Sequence, residues 1–308
     1  MPHSVVRSAP QLAPSLAPGR RLAARLPVVA IPVQPGPAPH AQPLGDRYRP
    51  VEPVSAVDGG TVWRGTDEVL HREVAIWELR ADRPVPIAVI AAVLGAARLT
   101  DRRIARVFDA DCAARRPYII TEWARGDSVE RLLRNGPPDP LTAVSVTLDA
   151  VAALAAAHEA GWAHLRLTPA SVRCGESGLK VTGIGIEAAL AGAVAADPAA
   201  ADARALAGLL YALLTGYWPG GDPSRLPRAP RYRGQLCVPG DVRAGVPDVL
   251  DELIRRALLP GHAQPVRSPA QFGRELCRSR WLLRPLGGRR TGRPGLNRPE
   301  ARSRHRQA

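Results

Sequence analysis

The pattern of apolar residues changes near Gly126, and this change limits the folds open to the chain. Before it, short runs rich in β-branched and aromatic residues alternate with turns, and an Ala-rich stretch at 87–99 has helical spacing. The runs predict strands at 61–65, 73–79, 104–109 and 117–122. After Gly126, apolar residues recur at helical spacing at 128–134, 141–160, 202–215, 247–258 and 269–277. A small β-rich part followed by a larger helical part is therefore expected.

Two arms flank this patterned region, and both lack the features of a packed core. Residues 1–45 hold many prolines without a sustained period, and residues 281–308 are rich in arginine and poor in apolar residues. We expect both arms to be disordered. The predicted lobes between them are a small lobe at 46–125 and a helical lobe at 126–280.

The net charge of +14 comes mainly from the arms. Residues 278–308 carry ten arginines against Glu300, a net +9, and residues 1–46 carry four arginines against Asp46, a net +3. This leaves only +2 of the +14 for the region between them, so nucleic acid is not expected as the main partner. The arginine-rich tail is either a solubilising segment or a site for nucleic acid or anionic lipid.

Spacing and hydropathy exclude some classes of protein. The cysteines Cys112, Cys174, Cys237 and Cys277 lie far apart, without the close pairs that a zinc site needs. An uninterrupted apolar run of about 18 residues is not found, so no membrane span is predicted. We expect a cytoplasmic protein whose contact with a membrane is peripheral at most.

Five blocks resemble those of bacterial Ser/Thr protein kinases of the actinobacterial type, in the same order, over about residues 47–277. The blocks are "AARLTDRRIARVFDAD", "RPYIITEWARGDSVERLL", "AALAAAHEAGWAHLRLTPASV", "GLKVTGIGI" and "DARALAGLLYALLTGYWPG". The resemblance implies an α+β, two-lobed protein-kinase-like fold, with a β-rich N-lobe and a mainly helical C-lobe.

The same resemblance places the catalytic groups of a kinase on residues of different chemistry. A kinase needs a lysine paired with a glutamate to hold the phosphates, an Asp base, and an Asn and a second Asp for magnesium. The lysine position is Trp77, and its glutamate partner falls near Ala92. The base is replaced by Arg166, and the two metal ligands by Ser171 and Gly183.

These replacements remove the chemistry of phosphoryl transfer. An indole carries no charge, and a guanidinium cannot accept a proton at physiological pH. Lys180, the single lysine of the chain, lies outside the lysine position. We therefore predict a pseudokinase that acts as a protein-binding scaffold or regulator in signalling, with a link to the cell envelope. The alternative is an enzyme with residual or atypical ATP-dependent phosphoryl or nucleotidyl transfer.

By the same resemblance, nucleotide contacts would come from Gly60, Val62, Ala75, Glu122 and Ala124. No cofactor or metal is expected, and weak ATP binding without magnesium is left open.

Two replaced positions have more than one interpretation. Trp77 either fills the former nucleotide cleft or stacks on adenine. Arg166 either pairs with a phosphate, forms an internal salt bridge, or faces solvent. His164, Asp202 and Arg267 match framework residues of the kinase large lobe, which favours a retained fold without retained catalysis.

Overall fold

The structure is a computed structural model that describes residues 42–82, 84–221, 224–259 and 261–282. Nearly all of the 1–45 leader and of the 281–308 tail lies outside the described residues, so the predictions made for the two arms stay predictions. The lobe boundaries drawn from the sequence likewise stay predictions. The expected order, a β-sheet lobe followed by a helical lobe, is confirmed.

The small lobe is a five-stranded antiparallel sheet with one helix, α1 (Ile87–Ala96). Its strands are β1 (Tyr48–Val57), β2 (Gly60–Asp67), β3 (Arg72–Leu79), β4 (Val107–Asp111) and β5 (Tyr118–Glu122), in the order β1-β2-β3-β5-β4. β1 was missed in the sequence, because Pro50 and Pro53 interrupt its pattern. Both prolines sit beside register shifts on this edge strand, where a missing backbone donor is tolerated.

Both faces of the sheet are covered by apolar clusters. On one face, Val62 and Trp77 pack against α1 through Val89 and Val93. On the other face, the buried residues are Leu44, Tyr48, Trp63, Val74, Ile76, Tyr118 and Ile120. Burying a large apolar side chain contributes about 1.5–3 kcal/mol, so both clusters stabilise this lobe.

The carboxylate of Asp67 anchors the first strands. It is fully buried at the end of β2 and accepts hydrogen bonds from Arg47 Nε at 2.7 Å and Arg47 Nη2 at 2.9 Å. Leu70 N and Arg72 Nε donate to the same carboxylate at 3.2 and 3.3 Å. These hydrogen bonds, above all those from Arg47, lower the pKa of Asp67 to about 2.

Replacing Asp67 with asparagine should make stability less dependent on pH in acid. A carboxyl with a lowered folded pKa stabilises the fold above its unfolded pKa of about 3.9, and the contribution is lost as the pH falls through the folded value. We expect the natural chain to exceed Asp67→Asn in free energy of unfolding above about pH 5, with a difference that shrinks as the pH approaches 2. Urea unfolding at successive pH values measures this. Glu68→Gln, at a part-exposed ion pair, is the control. A difference that persists unchanged to pH 2 would contradict the prediction.

The large lobe is built around one buried helix, α5 (Pro198–Thr215). Its helices are α2 (Val129–Leu132), α3 (Pro140–Glu159), α4 (Ile186–Ala191), α5 (Pro198–Thr215), α6 (Pro239–Val242), α7 (Asp248–Leu258) and α8 (Pro269–Leu282), with a 3-10 turn at Leu133–Asn135. Short strands are β6 (Asp127–Ser128), β7 (Val172–Gly175), β8 (Gly178–Val181), β9 (Arg231–Tyr232) and β10 (Gln235–Leu236). α5 contacts α3, α7 and α8, and its residues from Leu206 to Leu214 are all buried.

Helix caps explain where the two long helices begin and end. Asp139 accepts hydrogen bonds from Leu141 N and Thr142 N before Pro140 opens α3. Asp197 caps α5 in the same way, which places its start four residues before the predicted 202. The helix ends at Gly216, whose φ of +82° suits glycine.

One described helix, α3, is long and apolar enough to cross a membrane by length and composition alone. Asp149 and His158 interrupt its apolar run, so the expectation that no uninterrupted run spans a membrane stays a prediction. In the structure α3 packs against α5 and α8, with Ala150, Leu154 and Ala157 fully buried. Its apolar composition is therefore explained by its place in the helical core.

Candidate functional site

A cleft of about 380 Å³ lies between the sheet and the helical lobe. It is bordered by the β1–β2 turn, β3, the chain after β5, the loop at 164–171 and the start of α4. Four of the five positions expected to contact a nucleotide, Val62, Ala75, Glu122 and Ala124, line it. The fifth, Gly60, does not.

Gly60 lies inside the sheet, opposite Leu79 of β3. A Cβ atom at this position would clash with the backbone carbonyl oxygen of Glu78. Glycine is therefore explained by the close approach of two strands, and its presence gives no support to a phosphate-binding role.

Trp77 occupies the kinase lysine position as a core residue. Its side chain is only 3% exposed and packs among Val89, Ile119 and Ile186, while still bordering the cleft. The indole Nε1 donates to Thr121 Oγ1 at 3.2 Å. Of the two interpretations offered by the sequence, the structure shows hydrophobic packing.

The helix beside Trp77 cannot supply an acidic partner. α1 has no charged residue, and Ala92, at the expected glutamate position, is buried. α4, an element missed in the sequence, packs against α1. A side chain at Gly95 of α1 would clash with the ring of Trp162, so the helix is held against the large lobe by close packing.

Arg166, at the catalytic-base position, forms an ion pair across the cleft. Its Nη2 lies 3.1 Å from Oδ2 of Asp58, in the β1–β2 turn. The Arg166 side chain is 22% exposed and that of Asp58 is 54% exposed, so the pair contributes about 0.2–1 kcal/mol. Of the three alternatives, the structure shows the internal salt bridge.

Two other cations at or beside the cleft are held by Glu122, the last residue of β5, and by the chain that follows it. Lys180 Nζ lies 2.7 Å from the Glu122 carboxylate. Arg173 donates to the carbonyl oxygens of Ala124 at 2.6 Å and Gly126 at 2.5 Å, and its guanidinium lies 5.1 Å from the ring centre of Trp123. Burial lowers the pKa of Arg173, although a guanidinium remains charged at neutral pH.

The positions expected to hold magnesium carry no carboxylate. Ser171 is buried, and its Oγ accepts a hydrogen bond from Thr168 N at 3.0 Å. Gly183 has a φ of +76°, and a Cβ there would clash with the carboxylate of Glu187, which borders the cleft. Within the described ranges, no group of three His, Cys, Asp or Glu residues is arranged to hold a metal ion.

Asp202 organises the loop beneath the cleft. It is fully buried and accepts hydrogen bonds from His164 N at 2.8 Å and Leu165 N at 2.7 Å. His158 Nε2 lies 2.7 Å from the same carboxylate, and His164 Nε2 lies 3.0 Å from the Thr182 carbonyl oxygen.

The third residue expected in the framework, Arg267, lies away from this loop. Its side chain is exposed, and its backbone N donates to Gln271 Oε1 at 3.0 Å.

Sequence reasoning missed Asp58, Arg173 and Glu187 as residues of this cleft. The Asp58-Gly59 pair is a hairpin-turn signal that could have placed Asp58 at the tip of the β1–β2 turn. No comparable signal exists for Arg173, because its direction depends on the register of β7, where it pairs with Ser128 of β6.

Known proteins resemble the chain in sequence and in fold. No protein-family model matches it. "Serine/threonine-protein kinase PknL" of Mycobacterium bovis is 28% identical over 262 residues, covering 76% of this chain and 65% of that protein. "Serine/threonine-protein kinase PknB" of Mycobacterium leprae is 26% identical over 268 residues, covering 76% of this chain and 43% of that protein. The chain thus spans about two thirds or less of the length of these relatives.

Among solved structures, the PknI kinase domain of Mycobacterium tuberculosis matches with a TM-score of 0.59 and 20% sequence identity. The match covers 75% of this chain and 95% of that domain. The likeness confirms the two-lobed fold predicted from the sequence.

Proposed function

We propose that this chain, which has the protein-kinase fold and whose homologues are actinobacterial Ser/Thr protein kinases, does not transfer phosphate and acts by binding a protein partner. We place it in the cytoplasm as a scaffold or regulator, in a process linked to the cell envelope. The relatives are named as kinases, so the proposal is that this chain has kept their fold and lost their reaction.

The observation that carries the proposal is that, among the described residues, the two cations lining the cleft and Lys180 beside it already have partners within the chain. Arg166 pairs with Asp58, Lys180 pairs with Glu122, and Arg173 donates to two carbonyl oxygens. A triphosphate would have to displace these contacts before it gained any of its own.

The replaced groups also remove the reaction steps. A positioned general base contributes about 10² to 10⁴ in rate, and Arg166 cannot accept a proton. Magnesium prefers charged oxygen ligands, but a serine and a glycine stand at its two expected positions. Because such groups act as a unit, losing even one removes most of the rate enhancement, and here all of them are replaced.

Thermal unfolding of the full chain with ATP and magnesium tests the proposal. A ligand at about 100 times its Kd adds about 2.7 kcal/mol to the stability of the folded state. For a domain of this size, that raises the Tm by roughly 5–10 °C. We expect a change of less than about 1 °C with 1 mM ATP and 10 mM magnesium, and no phosphate transfer to the chain or to added protein.

The controls separate the alternatives. A magnesium-dependent rise of several degrees together with phosphate transfer would overturn the proposal. Transfer that persists unchanged in Arg166→Ala comes from a contaminant or from another part of the chain, so a second preparation by a different route decides between them. A rise with ATP in EDTA that disappears in Arg166→Ala supports metal-independent nucleotide binding and, with transfer, the atypical enzyme.

A further inference from the structure

A second groove, of about 310 Å³, lies in the helical lobe and shares no lining residue with the cleft. It is formed by the first turns of α5, the end of α7 and the chain at 261–267. Asp202, which organises the loop beneath the cleft, lies on the same turns of α5, between Ala200 and Arg204 of the groove.

The groove is lined by cations. Arg204, Arg256 and Arg267 border it, and its described lining has no carboxylate; His262 also lines the groove, with its Nε2 3.2 Å from Glu252 Oε1. Three guanidinium groups on one concave surface repel one another unless an anion or solvent lies between them. The charge of this groove is therefore complementary to an acidic ligand.

One of the three arginines is held in place by the protein. Arg256 Nε donates to the Gln264 carbonyl oxygen at 2.8 Å, and its Nη2 lies 3.6 Å from a Glu275 oxygen. Its side chain is only 16% exposed. Arg256 thus places a positive charge at a fixed position in the groove.

The other two arginines are available to a ligand. The side chains of Arg204 and Arg267 are exposed, and within the described ranges neither guanidinium has a hydrogen-bond acceptor or an ion-pair partner. A guanidinium presents donors in a planar fork that matches the two oxygens of a carboxylate. Arg204 and Arg267 can therefore each bind a carboxylate without breaking an existing contact.

Apolar residues line the same groove. Val266 and Ala257 are buried in the groove wall, and Leu258, Leu259 and Pro265 are half-buried beside them. A groove that combines cations with an apolar surface matches a peptide that carries both acidic and apolar side chains. A flat bilayer or a nucleic-acid duplex would not fill a concave site of this volume.

We propose that the groove binds an acidic peptide segment of a protein partner, with carboxylates on Arg204 and Arg267 and an apolar side chain against Leu258 and Leu259. This assignment rests on the proposed protein-binding function and gives it a location. Arg267 was matched above to a framework residue of the kinase large lobe. The other residues that carry this proposal were not matched to any kinase position.

The test uses a fluorescein-labelled peptide, Glu-Glu-Leu-Leu-Glu-Glu, and its glutamine counterpart, with the full chain in a fluorescence anisotropy titration. We expect the acidic peptide to bind and the glutamine peptide not to bind. Arg204→Gln combined with Arg267→Gln should weaken binding at least tenfold, which corresponds to about 1.4 kcal/mol. Arg98→Gln combined with Arg115→Gln removes the same charge from exposed sites outside the groove and should change the affinity less than about twofold.

The arginine-rich tail is present in every variant, so binding to the tail would be equally strong in both double variants. That result would overturn the assignment. It would also be overturned if Arg204→Gln with Arg267→Gln lost binding to phosphatidylglycerol vesicles or single-stranded DNA but kept its affinity for the acidic peptide. Circular dichroism and urea unfolding verify the fold of each variant. A second test reverses the charge: Arg204→Glu with Arg267→Glu should bind Lys-Lys-Leu-Leu-Lys-Lys and lose the acidic peptide.

Different results would overturn the non-catalytic proposal and the groove proposal. Phosphate transfer with magnesium and ATP would end the non-catalytic assignment without changing the affinity for the peptide. Equal peptide binding by both double variants would end the groove assignment without restoring any group to the cleft.

Discussion

Replacing Asp202 with alanine is expected to lower the free energy of unfolding by about 3–5 kcal/mol. The buried carboxylate accepts hydrogen bonds from the backbone N–H groups of His164 and Leu165 and contacts His158 Nε2. Leaving a buried donor without an acceptor costs about 1–3 kcal/mol, and this change leaves the buried His164 N and the half-buried Leu165 N without one. Leu165 also has a φ of +60°, a conformation that needs fixed neighbours to persist. Urea unfolding at neutral pH measures the loss.

Asp139→Ala is a matched control for this change. Asp139 also accepts two backbone hydrogen bonds, but it lies at an exposed helix start, where water can replace it. Its loss should cost about 1 kcal/mol. Asp202→Asn keeps one acceptor oxygen and should fall between the two. A loss below 1 kcal/mol for Asp202→Ala would show that the loop at 164–171 does not depend on this carboxylate.

Replacing Trp77 with lysine should destabilise the chain by more than about 3 kcal/mol without creating a nucleotide site. Removing a buried aromatic side chain costs about 3–5 kcal/mol, and the new amine would lie among Val89, Ile119 and Ile186. A lone amine in such surroundings loses solvation and finds no carboxylate on α1, which has no acidic residue. Urea unfolding and ATP titration of the same variant measure the two effects.

Trp77→Phe separates packing from polarity at this position. Phenylalanine keeps most of the apolar contact and loses the hydrogen bond to Thr121, so the expected cost is about 1–2 kcal/mol. A Trp77→Lys variant that stays as stable as the natural chain and gains magnesium-dependent ATP binding would contradict our interpretation. The cleft would then be a nucleotide site that lacked only one amine.

Strong periodic segments were predicted well from the sequence, and the elements without a period were not. The helices around 141–160 and 247–258 have long apolar patterns that are largely independent of their neighbours. β1 carries two prolines and six exposed residues in a row, so its strand conformation depends on pairing with β2. α4 has six residues and is stabilised by contact with α1, which no local pattern of six residues can indicate.

The amino-acid sequence alone establishes which chemistry is present at each position of the cleft, because the side-chain type sets charge and proton affinity in any fold. It thus determined that position 77 carries no amine and that positions 166 and 183 carry no carboxylate. Which groups meet depends on tertiary packing, which brings together Arg166 with Asp58, Lys180 with Glu122, and three arginines in a groove of the helical lobe. These contacts join residues up to 108 positions apart, and they exist only once strands and helices have packed.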